Sequence, residues 1–318
     1  MSALAVDMDI SIAVKSAPVS GAMVRIWGVG IADMMAAQTL MNKPISVSAG
    51  MAKGLPLANP AQYGLLADGT IFQAYGNWIA TDQNLTILFT PGPTSMPETG
   101  GPDPAIPSSK IVFNCPKGGN LLQSAVQALQ NAFPGYTVST AAVAKGQGFT
   151  SQAALQHYSR TLEDFSNYLV RLSQSPQFGG IAYQGITTFA RRGTISLVDG
   201  PGSNNIAILG SDLIGQPTWI DPLTIQVKTV MRGDIVPWEN TITLPNTWIN
   251  ASGGGSSLFF PTPIMAQGTN LQVIRARHVG SSRQPAGEAW ISIFDVCQLG
   301  ATNLNQDNGA GTQEDDGE

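Results

Sequence analysis

Histidine is the side chain most often recruited for proton transfer or metal binding near neutral pH, and this chain of 318 residues has two, His157 and His278. His157 lies in Gln156-His-Tyr-Ser-Arg160, near a predicted helix start, and reads as a residue of that helix's surface. His278 ends an alternating run beside a turn. For each, a hydrogen-bonded structural role outweighs catalysis. There is no His-Glu-x-x-His and no paired Cys-x-x-Cys, so a zinc site has no support. Cys115 and Cys297 are far apart in sequence. One bridge between them is open, a disulfide framework is not, and synthesis in a reducing compartment is the simpler reading.

The other routes to chemistry fare no better. Neither Gly-x-Ser-x-Gly nor Gly-x-x-x-x-Gly-Lys-Ser/Thr occurs. Trp27-Gly-Val-Gly-Ile31 follows a strand but lacks the third glycine of a dinucleotide fingerprint, and Lys145-Gly-Gln-Gly-Phe149 reads as a loop. Glycoside hydrolysis needs two carboxylates flanking one bond. Glu163 and Asp164 are adjacent on a predicted helix and point different ways, while Glu98, Glu239 and Glu288 fall in turns or loops. The expectation is a protein that is not an enzyme, with no catalytic residue, no metal and no cofactor.

Composition narrows the class. Hydrophobic residues make up 43% and charged residues 12%, against about 25% charged in an average soluble domain. A surface so poor in charge must be hydroxyl- and amide-rich or covered by partners, which suits a component of an assembled particle. The net charge of −5 argues against broad phosphate-backbone binding. Arg191-Arg192 is the densest basic spot and reads as a solvated turn. No run of about 18 apolar residues occurs, so no membrane span is expected, and the first residues do not read as a signal peptide.

The periodicities divide the chain. Residues 1–92 read as β-rich: Ile10–Val14 alternates, Met23–Trp27 follows, and Thr70–Tyr75 and Leu85–Phe89 are separated by Gly76–Asp82. A short helix is expected within Ala32–Met41, and Gly50–Gly69 reads as an irregular excursion. Residues 93–109, with recurrent proline and glycine, form a stiff linker. Residues 110–204 read as α+β. Asn120 stands where a helix N-cap would, ahead of Leu121, Leu122, Ala125, Val126, Leu129 and Phe133 on one face. Thr161 begins a second helix carrying Phe165, Leu169 and Leu172. Residues 205–300 are all-β with a Gly/Ser loop at Asn250–Ser257, and 301–318 form an acidic tail without the means to build a core.

Within the last β block, Gly215 and Pro217 make a turn and Pro222 launches an alternating strand. A second run returns through His278 and Gly280, and a third carries Trp290. This order resembles the closing barrel of the baseplate hub family of tailed bacteriophages, in which a Gly-x-Pro turn, a Pro-led strand and a strand ending in His-x-Gly precede a Trp-bearing last strand. Where that family often has Asp after the last glycine, this chain has Ser281 and a longer turn. The resemblance extends over most of the chain, from the first strands to Leu299. It implies a mainly β fold in which two tube-like β-barrels flank a small α+β domain.

What the resemblance implies about function is a homotrimer presenting six barrels in a ring. Such a ring adapts a sixfold tail tube to a threefold central spike and forms part of the channel through which genome or tape-measure protein passes. Its partners would be further copies of itself, the tail tube protein, the central spike protein and neighbouring baseplate proteins. Its location would be the virion tail baseplate, assembled in the bacterial host cytoplasm. The rivals are a receptor- or glycan-binding tail-fibre module and a peptidoglycan hydrolase of the tail tip. Trp27, Trp219 and Trp290 sit in strand or turn patterns that core packing explains. Trp238 and Trp248 flank Asn240–Leu244 and are the candidate interface anchors.

Overall fold

The computed structural model describes residues 4–13, 22–51, 59–92, 111–180, 182–191, 193–221, 224–244, 270–284, 286 and 288–298. The linker 93–109, the tail 301–318, the Gly/Ser loop, Pro222 and Trp248 lie outside the described residues.

The N-terminal block is an antiparallel sheet of β1 (Ala5–Ala13), β2 (Ala22–Trp27), β3 (Pro44–Ala49), β4 (Gly64–Ile79) and β5 (Asp82–Pro91), in which β2 pairs β5 and β3 pairs β4, with a one-turn helix, α1 (Ile31–Met35), between β2 and β3. The expected helix over Ala32–Met41 is divided: α1 ends at Met35 and a 3-10 turn, Ala37–Leu40, follows. The two strands expected at Thr70–Tyr75 and Leu85–Phe89 are longer than their alternating cores. β4 begins at Gly64, inside the segment read as irregular, and runs through Gly76 to a two-residue turn. Gly76 stays paired with Leu85 of β5, and it stands where α1 crosses the strand: a Cβ there would fall 2.5 Å from Met34 Cβ. Alternate residues Met8, Ile10, Val24, Ile71, Ile87 and Phe89 fill a first core.

The insert holds β6 (Ile111–Cys115), α2 (Leu121–Ala132), β7 (Thr137–Ala142), β8 (Leu155–Ser159), α3 (Leu162–Ser173), β9 (Thr187–Arg191) and β10 (Thr194–Val198). Asn120 Oδ1 accepts from Gln123 N–H at 2.9 Å and Thr161 Oγ1 from Asp164 N–H at 3.0 Å, so both helices start on side-chain caps. Their apolar faces, Leu121, Leu122, Ala125 and Leu129 on α2 and Phe165 and Leu169 on α3, close over Ile111, Phe113, Ile195 and Leu197 as a second core. The sheet is split: β6 pairs β8, and β10 stands between β7 and β9.

The C-terminal block contains β11 (Asn204–Ala207), β12 (Thr218–Asp221), β13 (Thr224–Val230), β14 (Asn240–Thr243), β15 (Leu271–Ser281) and β16 (Trp290–Gln298). It encloses a third core of Ile225, Val227, Ile235, Leu271, Val273, Phe294 and Val296. This block and the N-terminal one share a sheet. β1 pairs antiparallel with β15 from Asp7↔Ser281 to Ala13↔Arg275, so the order runs β12-β13-β16-β15-β1-β2-β5-β4-β3, with β14 beside β15 and β11 beside β14. Ile12 packs against both flanking cores, and Met231, from the C-terminal block, is buried in the first one. The fold is mainly β with a small α+β insert.

The seam explains two of the signature residues. Gly280 stands opposite Met8 on one side and Trp290 on the other. A Cβ on Gly280 would lie 2.7 Å from the Trp290 ring and 2.8 Å from Met8 Cε, and Trp290 Nε1 donates to Gly50 O at 3.1 Å. The glycine lets the indole lie flat across the junction of the two blocks. Gly215 has φ +84°, a left-handed turn conformation that favours glycine, and Pro217 after it is buried. Gly280→Ala is therefore expected to lower the unfolding free energy by about 1–3 kcal/mol through overpacking. Gly148→Ala, where no atom stands within 4 Å, should change it by less than about 0.5 kcal/mol. Urea unfolding of both variants checks the difference.

Candidate functional site

Among the described residues, a buried cluster of charged and polar side chains lies where the three blocks meet. β13 ends at Val230, and the next residues, Met231-Arg232-Gly233-Asp234, turn into the interior. Arg232 is 2% exposed. Its Nε and Nη2 reach Asp234 Oδ1 and Oδ2 at 2.7 and 2.6 Å, a bidentate pair, and its Nη1 reaches Asp212 Oδ2 at 3.3 Å. Asp212 Oδ1 in turn accepts from Gln62 Nε2 at 3.1 Å, and Gly233 N–H donates to Gln62 O at 2.8 Å. Gly64 and Gly233 touch backbone to backbone, and a Cβ on either would lie within 2.9 Å of the other's carbonyl oxygen.

The insert supplies the third arm. Arg191, at the end of β9, donates from Nη2 to Leu65 O at 2.7 Å and to Gly233 O at 3.2 Å, with Glu239 Oε2 at 3.8 Å from Nη1. The reading of Arg191 as part of a solvated turn is corrected: it is part-buried and touches both β blocks. Beside it, Trp238 is buried against Phe189, Val198 and Ile274, with φ +65° held by its N–H bond to Val273 O at 2.9 Å. That corrects the expectation that Trp238 serves as an interface anchor, since it is 6% exposed. The indole fills the gap between insert and C-terminal block within its own chain.

His278 borders the same junction. It is 1% exposed, its Nδ1 is 2.8 Å from Ser292 Oγ, and its ring meets Phe294 edge-on. Ser292 Oγ accepts from Arg232 N–H at 3.0 Å and donates to Arg232 O at 3.1 Å. With that proton committed, the arrangement is satisfied by a neutral imidazole protonated at Nδ1, donating to Ser292. Burial lowers the His278 pKa to about 3, and the Arg191 guanidinium adds to the effect. The ring is a neutral strut at physiological pH.

The remaining candidates are dispersed. His157 lies in β8, not on a helix, and stacks on Tyr168 with ring centroids 3.7 Å apart; burial lowers its pKa while Asp164 opposes the shift. Glu163 and Asp164 occupy the first turn of α3, and burial followed by Asp164 raises the Glu163 pKa. Cys115 and Cys297 are buried and are not joined in a disulfide. The glycine loop after Lys145 already holds an anion of its own. Asp199 accepts from the N–H groups of Ala144, Lys145 and Gly146 at 2.6–2.7 Å and from the Tyr183 hydroxyl at 2.9 Å. Burial and that carboxylate hold the Tyr183 pKa well above its usual value. Among the described residues, no group of three or more His, Cys, Asp or Glu could hold a metal ion, and no helix is long and apolar enough to cross a membrane.

Sequence reasoning passed over Arg232, Asp212, Asp234, Gln62 and Asp199. The available signal was Arg232 itself, an arginine directly following Thr-Val-Met at the buried end of a strand in a chain with few charges.

A buried guanidinium that loses its place leaves two carboxylates uncompensated, so Arg232→Met is expected to cost about 3–5 kcal/mol of unfolding free energy. The His278 shift gives a second expectation. Between about pH 6.5 and 3 the unfolded chain binds a proton at this histidine that the folded chain refuses, so stability falls as pH falls through that window. The loss approaches about 1.4 kcal/mol per pH unit, and His278→Gln should remove it from the profile. Unfolding curves at pH 7, 6 and 5 for both proteins test this.

No family model and no curated protein matches the chain. Two solved structures similar to it are phage tail proteins. The tail protein from Neisseria meningitidis MC58 is 10% identical, with a TM-score of 0.48 and a match over 93% of this chain and 96% of that one. The 43 kDa tail protein of prophage MuSo2 from Shewanella oneidensis is 8% identical, with the same TM-score and coverage. The likeness is one of overall chain path, and no residue role passes from those proteins to this chain.

Proposed function

We propose that the protein is a non-enzymatic structural subunit of a phage tail, a baseplate hub that assembles as a homotrimeric ring. In this reading the ring adapts a sixfold tail tube to a threefold central spike. It sits in the virion baseplate after assembly in the host cytoplasm and lines part of the ejection channel. Its partners are further copies of the chain, the tail tube protein, the spike protein and neighbouring baseplate proteins, with genome or tape-measure protein passing transiently. The observation that carries the reading is the shared sheet. Two β-rich blocks with separate cores are joined strand to strand through β1 and β15, so each chain offers two rigidly coupled units to a ring.

The rivals meet physical objections. A hydrolase needs two carboxylates facing a cleft, and the pair that converges here, Asp212 and Asp234, is neutralised on a buried guanidinium. A glycan binder of the tail-fibre kind needs aromatic faces along one groove. The exposed Tyr75 and Trp78 are three residues apart on β4 and point to opposite sides of it.

Mass measurement in solution, on the chain alone and with its spike and tube neighbours, tests the proposal. The expected mass is three times the 33.3 kDa of one chain. A chain that stays monomeric in every preparation overturns it, as does clearing of peptidoglycan in a zymogram.

A further inference from the structure

The insert reaches the β blocks through β9, and the outer edge of that strand is held by a helix. Among the described residues β9 pairs with β10 alone. An unpaired edge leaves a row of N–H groups facing outward, and here α3 takes two of them. Thr188 N–H donates to Ser166 Oγ at 3.0 Å. Ile186 N–H, one residue ahead of the strand, donates to Ser173 Oγ at 2.9 Å. The two serines are two helical turns apart and share a face of α3, both of them buried. Their hydroxyls are fully engaged: Ser166 Oγ also meets Thr187 Oγ1 at 3.0 Å, and Ser173 Oγ donates back to Leu169 O at 2.6 Å. Val170, between the serines, presses on the turn that leads into β9. A Cβ on Gly185, at φ +86°, would lie 2.9 Å from Val170 Cγ1.

The two faces of β9 do different work. Ala190 packs against the insert's own core. Phe189 and Arg191, on the other face, meet the rest of the chain: Phe189 lies against Trp238, and Arg191 donates to Leu65 O and Gly233 O. A strand moves as a unit, and at about 3.3 Å per residue Arg191 stands only about 10 Å along it from Thr188. Whatever fixes the edge at Thr188 therefore fixes where the guanidinium ends. We infer that α3 is a conformational lever for the junction, with Ser166 and Ser173 as positioning residues. Their hydroxyls set the position of β9 so that Arg191 and Phe189 meet the two β blocks, and a displacement of α3 is passed to those blocks along this line. The inference is independent of the phage-tail reading. It also accounts for two buried serines inside a helix, where their intrinsic propensity is only middling and their hydroxyls must find partners.

A thermodynamic cycle on the full chain tests it. Arg191→Met is made in the wild-type background and in Ser166→Ala/Ser173→Ala, and the unfolding constants are compared. Arg191→Met should raise the constant by a factor at least about threefold smaller in the serine background, because an arginine already out of place has less to lose. Leu122→Ala, which weakens the insert's core from α2, should leave the Arg191 factor at its wild-type value. Amide chemical shifts give a second readout. Leu66 and Asp234 follow the two carbonyls that Arg191 bonds, and their N–H resonances should move in the serine variant in the direction that Arg191→Met moves them. If the double serine variant does not fold, Ser173→Ala alone carries both measurements. Equal Arg191 factors in the two backgrounds overturn the inference. So do Leu66 and Asp234 amides that stay in place, or a Leu122→Ala chain that lowers the Arg191 factor as the serine pair does.

Discussion

One buried guanidinium limits how this molecule can be put together. Arg232 is taken out of water only because Asp234 and Asp212 meet it within 3.3 Å, and Asp212 is itself held by Gln62 from the N-terminal block. A buried charge without partners costs several kcal/mol, so the loop after β13 and the segment ahead of β4 must be in place together. Arg191 extends the constraint to the insert by bonding one carbonyl from each β block. In a chain with so few charged residues, those at the junction are where sequence-distant parts are tied.

The apolar interior follows the same lines. The insert's core is built from its own residues, but the cores of the two β blocks reach into each other. Met231 is buried with the N-terminal residues, Ile12 touches the cores on either side of the seam, and Trp238 lies between Phe189 of the insert and Ile274 of β15. The Gly280–Trp290–Met8 contact does the same at the seam itself. Rigid coupling of two β units is what a subunit needs if it is to occupy two places in a ring.

How much of this was legible depended on distance along the chain. The helix caps Asn120 and Thr161 and the apolar faces that follow them were readable because a cap and its helix lie within a few residues. Most strands were readable from alternation. The length of β4 was not, since a glycine reads locally as a strand end, while here β5 pairs with the strand on past Gly76 and Met34 of α1 approaches too closely for a larger residue. Likewise the Gly280 and Trp290 pattern was visible as a motif, but its physical meaning, a glycine making room for an indole and Met8, needed the β1–β15 pairing. Arg191 and Trp238 were misjudged for one reason. Local sequence gives a charged turn and a flanking aromatic, and only the tertiary arrangement turns both inward.

The central claim is that the two β blocks and the insert form one cooperative unit through the Arg232 junction. Native-state hydrogen exchange measures this directly. The account predicts that amides of β1, β4 and β15 exchange with a common opening free energy equal to that of global unfolding. Arg232→Met should lower all of them together. If the β4 amides opened well before those of β15 in the wild-type chain, with the Arg232 variant leaving that gap unchanged, the blocks would be independent and the account contradicted.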